Sequence, residues 1–187
     1  MAASFELPDR IEDEVVALRP LRPDDIAAYA ASFVADPALG AALGRETDPT
    51  AHDLADWPRR TIDAAAAGEF VELAIADPAD NLLGSVVMHS PDHHHERIEI
   101  GFWLTPAARG RGLARRAVAL AVDWAFTGLG MHRVEMTTLP ELDRALALAD
   151  RLGFRREGIM RERNFERGRR LDVVMLGLLR EEWERRG

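Results

Sequence analysis

The run Arg109-Gly110-Arg111-Gly112-Leu113-Ala114 carries the clearest chemistry in this sequence. Ahead of it, Ile98-Glu99-Ile100-Gly101-Phe102-Trp103-Leu104 reads as a strand closed by Thr105-Pro106, and behind it apolar residues recur at helical spacing. A strand that feeds a tight glycine turn at a helix start leaves backbone N–H groups unpaired, and the helix dipole favours an anion there. Gly110, Gly112 and Ala114 keep that backbone approachable, while Arg109, Arg111, Arg115 and Arg116 add positive charge. The spacing predicts a phosphate or pyrophosphate site; its structural alternative is a turn that only caps a helix. A Walker A loop needs a lysine, and all 24 basic residues are arginine. The dinucleotide fingerprint wants a third glycine where Arg115 stands, and a fully parallel sheet.

The elements that must position this turn alternate in period along the chain. A first strand is predicted over 15–21, then a helix capped by Asp24 or Asp25 and running to about 34, with Ile26, Tyr29, Ala30 and Phe33 on one face. A short helical turn follows Asp36-Pro37, and a second amphipathic helix spans 50–67, interrupted or kinked at Trp57-Pro58 and ended by Gly68. Strands at 70–75 and 82–88 flank the turn Asp77-Pro78-Ala79-Asp80-Asn81, with a third at 97–104. After the glycine turn come a helix over 113–126, a strand at 133–138, a helix at 141–152, and strands at 154–162 and 171–179. An antiparallel meander followed by alternating strands and helices predicts a mixed α/β (α+β) sheet in one domain, residues 1–187 with a core at about 15–183.

Composition narrows the chemistry further. The 187 residues include no cysteine, which excludes disulfides, thiolate metal sites and a cysteine nucleophile, and the missing lysine excludes Schiff-base chemistry. No apolar run approaches the roughly 18 residues of a membrane span, and the first residues lack a secretory pattern, so a cytoplasmic protein is expected. Residues 1–100 carry 7 arginines against 20 acids, whereas 101–187 carry 17 against 12. That asymmetry suggests a cationic and an anionic partner at opposite ends of a site, against the default of solvated surfaces. The net charge of −8 argues against general nucleic-acid binding, although arginines cluster between Arg151 and Arg170, interrupted by Glu157, Glu162 and Glu166.

The glycine turn resembles motif A of the GNAT acyltransferases, arginine/glutamine-x-x-glycine-x-glycine/alanine, through Arg109, Gly112 and Ala114. Leu18-Arg19-Pro20-Leu21 with Asp24-Asp25, the strand around Glu99, Leu152-Gly153-Phe154-Arg155-Arg156-Glu157-Gly158 and the closing Leu178-Leu179-Arg180-Glu181-Glu182-Trp183 are similar to the RimJ/RimL-type branch. The resemblance implies the GNAT fold, with a splayed parallel strand pair formed by 97–104 and 133–138, and acetyl-CoA as the acetyl donor. It places the pyrophosphate on the amides of Arg109, Gly110, Arg111, Gly112, Leu113 and Ala114. The pantetheine would run beside the strand end at Trp103, Leu104 and Thr105, with the thioester in the gap.

The same resemblance makes Glu99 the general-base candidate, directly or through one water, and the backbone N–H of Leu104 the donor to the thioester oxygen. Two departures stand against it: Leu142 and Ala145 occupy positions where that branch commonly has asparagine and serine, and Leu176 replaces a frequent tyrosine. The familiar proton donors to the leaving thiolate are therefore missing, and the sole tyrosine, Tyr29, lies on the first helix. His93-His94-His95 cannot all face one point in a strand, so a loop or strand-edge cluster is expected rather than a metal site. Trp57, Trp124, Trp183, Met131 and Met136 read as core or interface.

The leading expectation is an N-acetyltransferase acting on a primary amine, either a protein N-terminus or a small amine. The acidic first half would suit a cationic acceptor. The alternatives are a non-catalytic module that senses acetyl-CoA and an RNA-associated protein using the arginine cluster. No membrane partner is expected, and the resemblance is compatible with a homodimer.

Overall fold

A computed structural model of the chain describes residues 4–36, 38–43, 47–166 and 168–186. Pro37 of the expected short turn and Arg167 of the arginine cluster lie outside them. Alternating apolar positions build one eight-stranded sheet in the order β1-β2-β3-β4-β5-β6-β8-β7. Its strands are β1 (Ile11–Glu12), β2 (Ala17–Pro20), β3 (Val71–Ala76), β4 (Leu82–Asp92), β5 (Arg97–Leu104), β6 (Arg133–Thr138), β7 (Arg155–Glu166) and β8 (Arg169–Leu179). All neighbours run antiparallel except β5 and β6, which are parallel. The mixed α/β sheet and its meander are as the sequence predicts.

Helices cover both faces. On one face lie α4 (Leu113–Thr127) and α5 (Asp143–Leu152). There Leu113, Ala117, Val118, Ala121, Val122 and Ala125 form a buried stripe against Ile98, Ile100, Leu104 and Val134. On the other face α1 (Ile26–Ala35) and α2 (Leu39–Ala42) cover a smaller core in which Tyr29, Phe33 and Leu39 pack with Ala74 and Trp103. The helix α3 (Trp57–Ala66) lies beside β3, and α6 (Arg180–Glu184) follows β8. Gly84 marks the tightest point of the meander, since a Cβ there would sit 2.0 Å from the Trp103 carbonyl oxygen. Among the described residues no helix is long and apolar enough to cross a membrane.

Four local expectations change. Residues 51–56 form turns rather than helix, and Pro58 stands in the first turn of α3, where its missing N–H is harmless, instead of kinking a longer helix. Asp25 occupies the N-cap of α1 without capping it, because its carboxylate accepts the Arg22 N–H and both terminal nitrogens of Arg19. The strands β4 and β7 run further than their sequence signals, to Asp92 and Glu166, because hairpin pairing extends them. The short β1 and α6 have no periodic signal of their own.

Arg19 is 2% exposed and is neutralised by Asp25 and Asp80. Asp25→Ala leaves that guanidinium buried without its main partner and is expected to cost about 3 kcal/mol, read by urea denaturation. The Arg19 hydrogen bond is the main cause that pulls the Asp80 carboxyl down to about 2. Its stabilisation is therefore present above the ordinary carboxylate range and lost as pH falls toward 2. Asp80→Asn should flatten the dependence of Tm on pH in that window, leaving a pH-independent loss.

Candidate active site

The parallel strands β5 and β6 stay paired for only three positions, Arg97 with Arg133, Ile98 with Val134 and Glu99 with Glu135. Beyond Glu99, β5 follows β4 to Leu104 while β6 follows β8 to Thr138. The two strands diverge and leave a gap. The Thr105 N–H donates to the Leu83 carbonyl at 2.8 Å, toward β4. Successive N–H groups of a strand point to opposite edges, so the Leu104 N–H points into the gap. That is a backbone donor in want of a carbonyl or similar acceptor.

At the open end of β5 the chain turns through Gly110 and Gly112, whose φ values of 75° and 77° lie in the left-handed region that favours glycine. Gly112 is the N-cap of α4, and no side chain caps it. The first bond of the helix is the Arg116 N–H to the Gly112 carbonyl at 3.4 Å. Among the described residues, the amides from Gly110 through Arg115 meet no acceptor. They open on a cleft of about 260 Å³ bordered by Arg115 and, from α5, by Arg144 and Arg151. Free amides, a helix N-terminus and these guanidinium groups suit a diphosphate.

The arginines differ from the sequence expectation. Arg109 is not aimed at the cleft: its Nε donates to the Leu104 carbonyl at 3.0 Å and its guanidinium pairs with Asp36, whose carboxyl it holds below the usual range. It ties the turn to β5 and α1 instead. Arg116 turns away to Asp13 and Glu14 at 2.8 and 2.9 Å. Arg115 lines the cleft and Arg111 is exposed. Arg144 and Arg151 were missed by the motif; their signal is a separation of two helical turns, which puts both on one face of α5.

Glu99 is the last paired residue of β5 and stands at the vertex of the gap, half-buried. The Thr137 hydroxyl donates to its Oε1, and among the described residues it has no ion-pair partner. Its neighbour across the parallel pair, Glu135, differs: Arg97 and Arg133 approach it at 3.2 and 2.8 Å. Further along the same face Glu72 is buried and accepts from the Tyr29 hydroxyl, the Trp57 indole and the Ser85 hydroxyl at 2.9, 2.8 and 2.6 Å. Neither Thr137 nor Glu72 was found from sequence, though a lone acid inside the apolar run of β3 is a signal.

The remaining candidates divide. Ala114 borders the cleft, while the Leu113 and Leu104 side chains are mostly core. Trp103 does not face the gap: its backbone pairs with Ser85 of β4, its ring lies 4.9 Å from that of Tyr29 in the smaller core, and its indole N–H has no partner among the described residues. Thr105 spends its N–H on Leu83. His93, His94 and His95 form the β4–β5 turn, where His95 pairs with Asp92 and His93 packs on Phe5. Met131, Met136 and Leu176 are core, and Trp183 reaches Asp123 at 3.1 Å.

Residues 16–155 match the family model described as the acetyltransferase (GNAT) domain. The chain is 33% identical over 109 residues to an uncharacterized N-acetyltransferase, p20, of Bacillus licheniformis, a match spanning 58% of this chain and 61% of that protein. The matched stretch is thus under two thirds of that relative's length. The putative ribosomal N-acetyltransferase YdaF of Bacillus subtilis is 26% identical over 179 residues, 92% of this chain and 95% of its own. Among solved structures, Mycobacterium smegmatis RimJ in complex with CoA-disulfide has the same fold, with a TM-score of 0.80 at 24% identity over 89% of this chain and 83% of that one.

If the cleft holds a diphosphate, Arg144→Glu and Arg151→Glu should each raise the Kd for coenzyme A by about tenfold or more, since a charge-assisted hydrogen bond contributes about 1.5–3 kcal/mol. Isothermal titration reads this. Arg109→Ala is expected to lower Tm as well, because it releases the turn from Leu104 and Asp36.

Proposed function

Because the chain belongs to the GNAT acetyltransferase domain family, we propose that it transfers the acetyl group of acetyl-CoA to a primary amine by direct attack in a ternary complex. The observation that carries the reading is the placing of Glu99. It is a carboxylate without a counter-ion among the described residues, at the vertex of a gap whose wall offers the Leu104 N–H and whose mouth offers the amides from Gly110 through Arg115.

The steps follow from those groups. The amides of the glycine turn, with Arg115, Arg144 and Arg151, hold the diphosphate, which directs the pantetheine arm along the free edge of β5. The Leu104 N–H donates to the thioester oxygen and stabilises the charge that develops there. The acceptor arrives as an ammonium ion, and Glu99 removes its proton, directly or through one water. The amine nitrogen then bonds to the carbonyl carbon and gives up its second proton, the C–S bond breaks, and coenzyme A leaves as a thiolate that takes up the equivalent of that second proton through solvent.

A protein N-terminus or a small, cationic amine is the acceptor we propose. Glu99, Glu135 and the acidic first half of the chain support a positively charged group, and the name of YdaF, a putative ribosomal N-acetyltransferase, puts protein N-termini first in a search. We place the protein in the cytoplasm, as a homodimer, without a metal. Its net charge of −8 disfavours RNA as a partner.

One observation favours a second reading, a module that binds acetyl-CoA without turnover: Leu176 is core, so the final strand supplies no proton donor at the position where the family often has tyrosine. Free-thiol release from acetyl-CoA, with spermidine and with peptides beginning in serine or alanine, separates the two. Acceptor-dependent release supports transfer; binding with no release supports the sensor. In the enzyme, Glu99→Gln is expected to lower kcat by about a hundredfold or more while the Kd for acetyl-CoA stays within about twofold. An unchanged kcat removes Glu99 from the chemistry.

A further inference from the structure

Each turnover leaves a proton on Glu99, and that carboxyl has to lose it before the next acceptor can be deprotonated. Thr137 cannot take it, since its hydroxyl already donates to Oε1. Glu135 is engaged by Arg97 and Arg133. Among the described residues, a base without an ion-pair partner stands beside Glu99 on the other neighbouring strand. His89 of β4 is the direct cross-strand partner of Glu99, so the two side chains share one face with Cβ atoms about 4.5–5.5 Å apart.

The imidazole lies over the same face of β5, one position on from Glu99. Its Nδ1 lies 3.1 Å from the Ser90 hydroxyl, which leaves Nε2 for another partner. Nε2 sits 3.9 Å from the place a Cβ on Gly101 would take. The ring therefore leans over the bare backbone of Gly101, from Glu99 toward the Leu104 end of the strand. His89 is half-buried, so its ring keeps access to solvent. Imidazole is the side chain that most readily exchanges protons near neutral pH. Of the other histidines of this region, His93 turns to Gly68, His95 to Asp92, and His94 lies against the ring of His95.

We propose that His89 is a positioning and relay residue, which accepts at Nε2 the proton that Glu99 has taken from the attacking amine and releases it to solvent. The proposal rests on the acetyltransferase reading above. The proton balance is simple: the acceptor ammonium gives its proton to Glu99, the Glu99 carboxyl gives it to neutral imidazole, and the imidazolium gives it to water. Glu99 and His89 end each cycle as they began, and no other reactant is needed.

The test compares wild type, His89→Ala, His89→Gln, Glu99→Gln and the double variant His89→Ala/Glu99→Gln. It uses whichever of spermidine, a serine peptide or an alanine peptide wild type acetylates fastest, with coenzyme A release as the readout. Both His89 variants should lose kcat by about tenfold or more, with KM for acetyl-CoA within about twofold of wild type. Added imidazole should restore His89→Ala in proportion to its concentration and leave Glu99→Gln unchanged. The double variant should be no slower than Glu99→Gln alone, since both act on one proton. A wild-type kcat in His89→Ala, no response to imidazole, or losses that multiply in the double variant each overturn the relay while the acetyltransferase stands. A wild type that releases no coenzyme A with any of the three acceptors overturns the acetyltransferase reading itself, and the relay falls with it.

Discussion

Two parallel strands held together over three residues and then forced apart set the terms for everything else in this molecule. Each strand is committed to its outer neighbour, β5 to β4 as far as Leu104 and β6 to β8 as far as Thr138, so neither can follow the other. A sheet that splits in its middle exposes backbone donors and acceptors that cannot remain buried and unpaired. They are tolerable because they face a gap a ligand can enter. The same divergence admits the N-terminus of α4 to the edge of the sheet, which brings the free amides of the glycine turn in line with the free edge of β5.

On the face of the sheet covered by α1, α3 and their connections, three carboxylates differ only in company. Glu72 is buried and accepts from a tyrosine, a tryptophan and a serine on three elements, so it fastens the roof helices to the sheet. Glu135 lies between two arginines and continues through Arg133 to Glu157, an ion network that braces the closed end of the strand pair. Among the described residues Glu99 has one hydroxyl and no cation. Residue type is constant across the set, and the surroundings decide which acids are tied into the structure and which keeps a free carboxylate oxygen among the described residues.

Features carried by a few contiguous residues were legible in the sequence. The glycine turn, the strand before it and the helix after it are local, and each signal agrees with the next. The mixed sheet follows from the change of period along the chain. What was not legible depends on residues far apart in sequence: Arg109 looks like a phosphate ligand until Asp36 is brought to it by α1, and Arg116 until Asp13 arrives from β1's flank. Thr137 reaches Glu99, and His89 comes to stand opposite it, through strand register, which no local pattern reports. Pro58 shows the reverse error, a residue read as an interruption that in fact begins its helix.

The central claim is that backbone amides at the start of α4, rather than side chains alone, hold the diphosphate of the acetyl donor. Nuclear magnetic resonance of the ¹⁵N-labelled chain titrated with coenzyme A tests it most directly, because a hydrogen bond to a phosphate oxygen moves an amide proton downfield. The account predicts that the amides of Gly110, Gly112 and Ala114 show the largest downfield shifts in the protein as the site fills. Saturable binding that leaves those three resonances where they began would contradict it.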